Sequence, residues 1–179
     1  MTYEQAVYFR LLLICGYTEE LDTFVDAALK KQEPITDIIL NLAFCGSDLC
    51  RSLSVLKEYI QQVNESEIDY DTVFQYVLPF LRRKYYDEKM PIDQLIDIMF
   101  LIAYETDKYF DEPWQTMYLL GDYYEAAKSG YCYDMDDIMC KCNAFLQNGI
   151  PLDPSRLQPA KKESKIKKWF HSVFKHKHR

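Results

Sequence analysis

Apolar residues recur along this chain at helical rather than strand spacing. Thr2, with Gln5 three residues on, has the pattern of a capping box. Ala6, Phe9 and Leu13 follow before Gly16, a residue suited to the left-handed position after a helix. Thr18 is placed to cap a second helix with Leu21, Phe24, Val25, Ala28 and Leu29 on one face. That helix ends in Lys30 and Lys31 before Pro34, cations that complement the negative end of the helix dipole. Residues 35–45 predict a short buried helix closed by Gly46. Ser47 or Asp48 then opens a fourth, with Leu49, Leu53, Leu56, Ile60 and Val63 in register. The polar stretch NESEID, 64–69, reads as a loop. A fifth helix is predicted over 71–86, with Pro79 inside it removing one backbone bond and kinking it.

The rest of the chain is arranged around residues 92–104, IDQLIDIMFLIAY. Ile92, Leu95, Ile96 and Met99 hold one helical face while Asp93, Gln94 and Asp97 hold the other. From Ile98 onward every residue is apolar or aromatic, which predicts a helix buried on all sides. The run falls well short of the roughly 20 residues that span a bilayer, so it is expected to be the central helix of a bundle. Glu112-Pro113 opens a seventh helix carrying Trp114, Met117, Tyr118 and Tyr124 and stopping at Gly130. An eighth covers 134–147 before Asn148-Gly149. No segment alternates with a period of two between turn signals. The expected fold is all-α: a single-domain bundle of about eight helices over 1–149. Residues 150–160, IPLDPSRLQPA, contain three prolines and read as an extended linker.

Residues 161–179 predict a basic amphipathic tail helix. Ile166, Trp169, Phe170, Val173 and Phe174 fall at i, i+3, i+4, i+7 and i+8, and Lys165, Lys167, Lys168, His171 and Lys175 fill much of the remainder. Three uses fit that pattern: a membrane-surface anchor, a tether to a partner, and docking on the chain's own body. The residues expected to make the membrane or partner contact are Lys165, Ile166, Lys168, Trp169, Phe170, Val173, Phe174 and Lys175.

Charge sharpens this division. From residue 160 onward eight Lys/Arg face a single acid, Glu163, while residues 1–159 carry a net charge of −14. A body this acidic repels nucleic acid and favours a basic protein partner. Fifteen tyrosines supply half-buried rings with polar tips, suited to the rim of a core or a contact surface.

Candidate chemistry is thin. All three histidines, His171, His176 and His178, lie in the tail. Ser-His-Asp and Cys-His catalysis and His-based metal sites are therefore excluded from 1–149. The five glycines are scattered and form no phosphate loop. Cys132, Cys140 and Cys142 lack metal-ligand spacing, since positions two apart on a helix do not face each other. The six cysteines read as reduced thiols of a cytoplasmic protein, with neither metal nor cofactor expected. Acids cluster at Asp107, Asp111 and Glu112 and again at Asp134, Asp136 and Asp137, each group at a predicted helix start, where capping and dipole complementarity explain it. Asp111, Glu112, Tyr131, Tyr133, Asp134, Asp136 and Asp137 together make a candidate acidic, aromatic face for a basic partner.

Two stretches carry a resemblance: YFRLLLICGYTEELDTFVDAAL at 8–29 and EPWQTMYLLGDYYEAAKSG at 112–130. In their texture the body resembles small acidic all-helical immunity proteins of bacterial polymorphic-toxin systems. The resemblance implies a cytoplasmic non-enzyme that binds one cognate toxin and blocks its active site. It carries over no site residue, and the basic tail departs from it. The expected function is thus a non-catalytic protein-binding module that masks a basic toxin domain. The alternatives are a peripheral adaptor held at the inner membrane surface by its tail, and an enzyme using carboxylates and tyrosines alone.

Overall fold

The computed structural model describes residues 1–31, 34–130 and 132–160. Among them stand eight α-helices: α1 Tyr3–Ile14, α2 Glu19–Lys31, α3 Asp37–Cys45, α4 Leu49–Ile60, α5 Tyr70–Arg82, α6 Ile92–Glu105, α7 Trp114–Lys128 and α8 Met135–Asn148. The fold is all-α. One isolated bridge, Tyr133 to Pro159, is the β-type pairing among the described residues. The predicted tail helix lies outside the described residues.

Local chemistry sets most helix ends. The Thr2 hydroxyl accepts from Gln5 N–H at 3.2 Å while the Gln5 side chain accepts from Thr2 N–H at 3.0 Å, so two orphan donors of α1 are satisfied reciprocally. Asp48 caps α4, and Asp69 caps α5 through the N–H groups of Asp71 and Thr72. Pro79 lies within α5, and the α pattern gives way at Arg82 to a π-helical turn, Arg83–Asp87. The predicted fifth helix therefore covers two elements.

Two buried clusters share one wall. Ala6, Phe9 and Leu13 of α1 pack with Leu21, Val25, Ile38, Ile39, Leu42 and Leu56 of α2, α3 and α4. Val7, Leu11 and Leu12 pack from the opposite side of α1 with α5, α6, α7 and α8. The helix buried on both sides is thus α1. Helix α6 buries Leu95, Ile96, Ile98, Met99, Ile102 and Ala103, but Tyr104 is 56% exposed and Phe100 only half-buried. The expectation that 98–104 has no solvated side is corrected: its outer face meets solvent.

The proline-rich stretch, read above as an extended linker, is bonded to the bundle along its length. After α8 closes on Gly149 in the left-handed conformation, the chain runs back over the bundle as a strap. Leu152 is buried and its N–H donates to Thr116 Oγ1 at 2.8 Å. A 3₁₀ turn, Pro154–Arg156, follows. Gln158 then accepts from Asp134 N–H (3.0 Å) and donates its own N–H to Asp137 (2.9 Å), and Ala160 N–H donates to the Cys132 carbonyl (2.9 Å). Three prolines limit helix but leave carbonyls free, and those carbonyls, with one buried leucine, are enough to tie the strap down.

Candidate partner-binding face

Helices α6 and α7 approach closely because residue 121 has no side chain. A Cβ there would stand 2.7 Å from Phe100 Cδ2, so Gly121 lets the Phe100 ring lie against α7. Tyr104 follows Phe100 one turn later on the same face. The turn after α6 is held by Thr106, whose hydroxyl donates to Ala103 C=O (2.7 Å) and accepts from Lys108 N–H (3.3 Å). That turn presents Tyr109 and Phe110, and Tyr118 comes from α7.

Four of these rings close a cycle. Centroids lie 6.5 Å apart for Phe100–Tyr104, 6.2 Å for Tyr104–Tyr109, 5.2 Å for Tyr109–Tyr118 and 4.8 Å for Tyr118–Phe100. Their planes are within 7° to 28° of one another, so the rings form a nearly parallel layer. Phe110 leans on Tyr109 at 4.5 Å and is 76% exposed. Solvent reaches apolar surface here at Tyr104 and Phe110.

Acids border the layer. Asp97 precedes Phe100 by one turn of α6, and Asp122 and Glu125 follow Tyr118 along α7; all three are exposed, as are Asp107 and Asp111 in the connecting turn. Two cations nearby are already engaged. Lys108 Nζ pairs with Glu65 (2.7 Å) above the Tyr70 ring, and Lys128 Nζ reaches Asp93 (3.0 Å) and Glu125 (3.4 Å). Asp93 also accepts the Tyr124 hydroxyl at 2.7 Å. That bond, followed by the one from Lys128, holds the Asp93 carboxyl below its ordinary range. Burial and the same bond push Tyr124 up to about 12.

The residues expected to make one acidic face sit at two ends of α7. Asp111 and Glu112 stand at its start, beside the ring layer, and Glu112 accepts the Thr116 hydroxyl at 2.8 Å. Asp134, Asp136 and Asp137 stand at the start of α8, near the far end of α7. The strap bond from Leu152 to Thr116 places the exit of α8 by the entry of α7, so the two helices run antiparallel. At 1.5 Å per residue the two acid groups are separated by about 20 Å. The second group is largely occupied by the fold. Asp134 is buried and caps α8 through Asp136 and Asp137 N–H, and Asp137 anchors the strap. Tyr133 sets its ring against Tyr123, centroids 4.9 Å apart. Tyr131 and the tail residues Lys165, Ile166, Lys168, Trp169, Phe170, Val173, Phe174 and Lys175 lie outside the described residues.

Sequence reasoning passed over Phe100, Tyr104, Tyr109, Phe110 and Tyr118 as a set. The signal was there in the pair Tyr109-Phe110 inside the polar turn TDKYFDEP, where no core is available to bury it.

Other concave regions offer different chemistry. A groove of about 610 Å³ between α1, α2 and the π turn is floored by Tyr8, Phe9 and Phe24 and edged by Glu20 and Arg83, which pair with each other. Behind it Lys84 is buried, 2.7 Å from Glu88 and over the Tyr17 ring. Burial first, then Glu20, pushes Tyr8 up to about 12. Burial likewise pushes the Cys15 and Cys142 thiols up to about 12, away from the thiolate that a nucleophile needs. The carboxyls whose acidity the fold moves, Asp69, Glu88, Asp93 and Asp153, all move down, opposite to a general acid. Among the described residues no group of His, Cys, Asp and Glu is disposed to hold a metal ion, and no helix is long and apolar enough to cross a membrane. Compared with known proteins, the chain matches no family model, no curated protein and no solved structure.

Proposed function

We propose that this protein is a non-catalytic binding module whose α6–α7 face holds a basic protein partner; an immunity protein masking a basic toxin domain is its concrete form. The observation that carries this is the half-buried four-ring layer, open to solvent at Tyr104 and at the adjoining Phe110 and bordered by Asp97, Asp107, Asp111 and Asp122. Aromatic rings give a partner large, rigid contact area, and tyrosine and arginine dominate the energetics of such surfaces. A guanidinium over such a ring contributes about 0.5–2 kcal/mol, and a neighbouring carboxylate adds a charge-assisted hydrogen bond. Stacked rings also suit single-stranded nucleic acid. Here the bordering charges are negative and would repel a phosphate backbone, so a cationic protein surface fits better.

The test is affinity capture from the source cell with the full chain as bait, at low and at high salt. A basic protein retained at low salt, released at high salt, and lost with the Tyr104→Ser/Phe110→Ser double variant supports the proposal. A capture that yields no protein partner at either salt concentration refutes it.

A further inference from the structure

The strap does more than close the bundle. It fixes the place from which residues 161–179 leave. Ala160 is tied to Cys132, and its neighbour Pro159 pairs with Tyr133. The chain therefore departs beside the start of α8, at the end of α7 away from the ring layer. From that point Tyr133 packs on Tyr123, with Leu119 one turn further along the same face of α7, all three half-buried; Tyr118, a member of the layer, stands about 100° round the helix from Leu119. Exposed Asp122 stands on the outer side of α7 between these positions, Asp136 is exposed at the start of α8, and Glu125, which pairs with Lys128, lies on the Tyr118 side of α7.

We infer that the ring layer, reached across the outer side of α7, is the docking site of the chain's own residues 161–179, which cover the face until a basic partner displaces them. The inference rests on the partner-binding role proposed above and adds its regulation. Three observations meet here. The nineteen residues carry eight Lys/Arg against one acid, opposite in sign to the face. They bring Trp169, Phe170, Val173 and Phe174, apolar groups matched to an open aromatic layer. Their origin is pinned about 15–20 Å from the layer along α7, while nineteen residues reach about 28 Å as a helix and roughly 60 Å when extended.

Tethering makes a weak contact sufficient. A segment held by a short connection faces its site at an effective concentration on the order of millimolar. A contact with an intrinsic Kd of about 0.1 mM would then leave the face covered about nine-tenths of the time. A partner competing for it would bind about tenfold more weakly than to an uncovered face.

Tryptophan quenching by acrylamide, on the full chain, reads this directly. The chain has two tryptophans. Trp114 is 1% exposed and answers little to the quencher, so Trp169 reports the tail. At low salt, in dilute protein without lipid, Trp169 is expected to be shielded. It should become several-fold more quenchable in Tyr104→Ser/Phe110→Ser and, separately, in Lys165→Glu/Lys167→Glu/Lys168→Glu. Free quenching of Trp169 in the unaltered chain overturns the inference, as does equal shielding in both variants. Shielding that fades on dilution assigns the tail to a second copy, and shielding only with phosphatidylserine vesicles assigns it to a lipid surface; either overturns it too. An open Trp169 alongside salt-sensitive capture of a basic protein removes the self-docking alone. A shielded Trp169 with no partner captured removes the function proposed above and leaves the self-docking standing.

Discussion

Helices α1 and α6 both carry apolar residues round most of their circumference, yet their surroundings differ. The two sides of α1 meet two clusters of the same molecule, with Ala6, Phe9 and Leu13 against α2–α4 and Val7, Leu11 and Leu12 against α5–α8. The inner side of α6 is buried just as deeply, but its outer side, Phe100 and Tyr104, joins Tyr109, Phe110 and Tyr118 at the surface. An apolar helix needs cover on every side. For α1 the chain supplies all of it. For α6 the described part of the chain supplies half, and the other half, Phe100 and Tyr104, is the face for which a partner is proposed above.

Truncation separates the two helices most sharply. Leu12 is fully buried, and Leu12→Ala should cost about 2–5 kcal/mol in a urea unfolding titration. A loss well below that range would mean α1 is not the shared wall. Next in size is Gly121→Ala, where the new methyl meets Phe100 at 2.7 Å. Overpacking of about 1–3 kcal/mol, less a helix-propensity gain of up to about 1 kcal/mol, should leave a net destabilisation. In a Phe100→Ala background the same substitution should stabilise instead, and a double-mutant cycle that keeps the sign unchanged contradicts the close approach of α6 and α7.

Alkaline pH should weaken the fold by a smaller and more gradual amount. Burial raises Cys15 and Cys142 from 9.0, and burial with the Asp93 bond raises Tyr124 from 10.0, each to about 12. A raised folded pKa means the folded chain holds its proton longer than the unfolded one. The stabilisation is complete below pH 9 and is lost as pH rises through about 12. Melting temperature should fall over that window, and less steeply in Tyr124→Phe. The smallest stability effect belongs to the ring layer. Tyr104→Ser and Phe110→Ser, at exposed positions, should each change unfolding free energy by under about 0.5 kcal/mol. A large loss in either would make the layer part of the core rather than a contact surface.

Much of the helical framework was legible in the sequence because its punctuation is local. The Thr2/Gln5 box, Asp48, Pro113 and Gly149 act within a turn of themselves, and the helices begin or end where those residues stand. What the sequence hid is relational. Periodicity cannot distinguish a helix covered twice by its own chain, as α1 is, from one covered once, as α6 is. The strap was hidden for a similar reason, since its bonds join Gln158 and Ala160 to residues more than twenty positions away. Of the expected face, Asp111 and Glu112 stand beside the ring layer. Asp134 and Asp137, equally acidic in the sequence, are consumed by a cap and an anchor.

Two exposed phenylalanines offer the most direct test of whether the α6–α7 face is a contact surface. Phe44 on α3 is 74% exposed and Phe110 is 76% exposed, but of the two only Phe110 adjoins the ring layer, through Tyr109. A photoreactive phenylalanine analogue is placed at one or the other position in the full chain and irradiated in the source cell. Cross-links from position 110 to a basic protein, absent from position 44, are the predicted result. Equal cross-linking from both positions, or none from position 110, would contradict the assignment of this face.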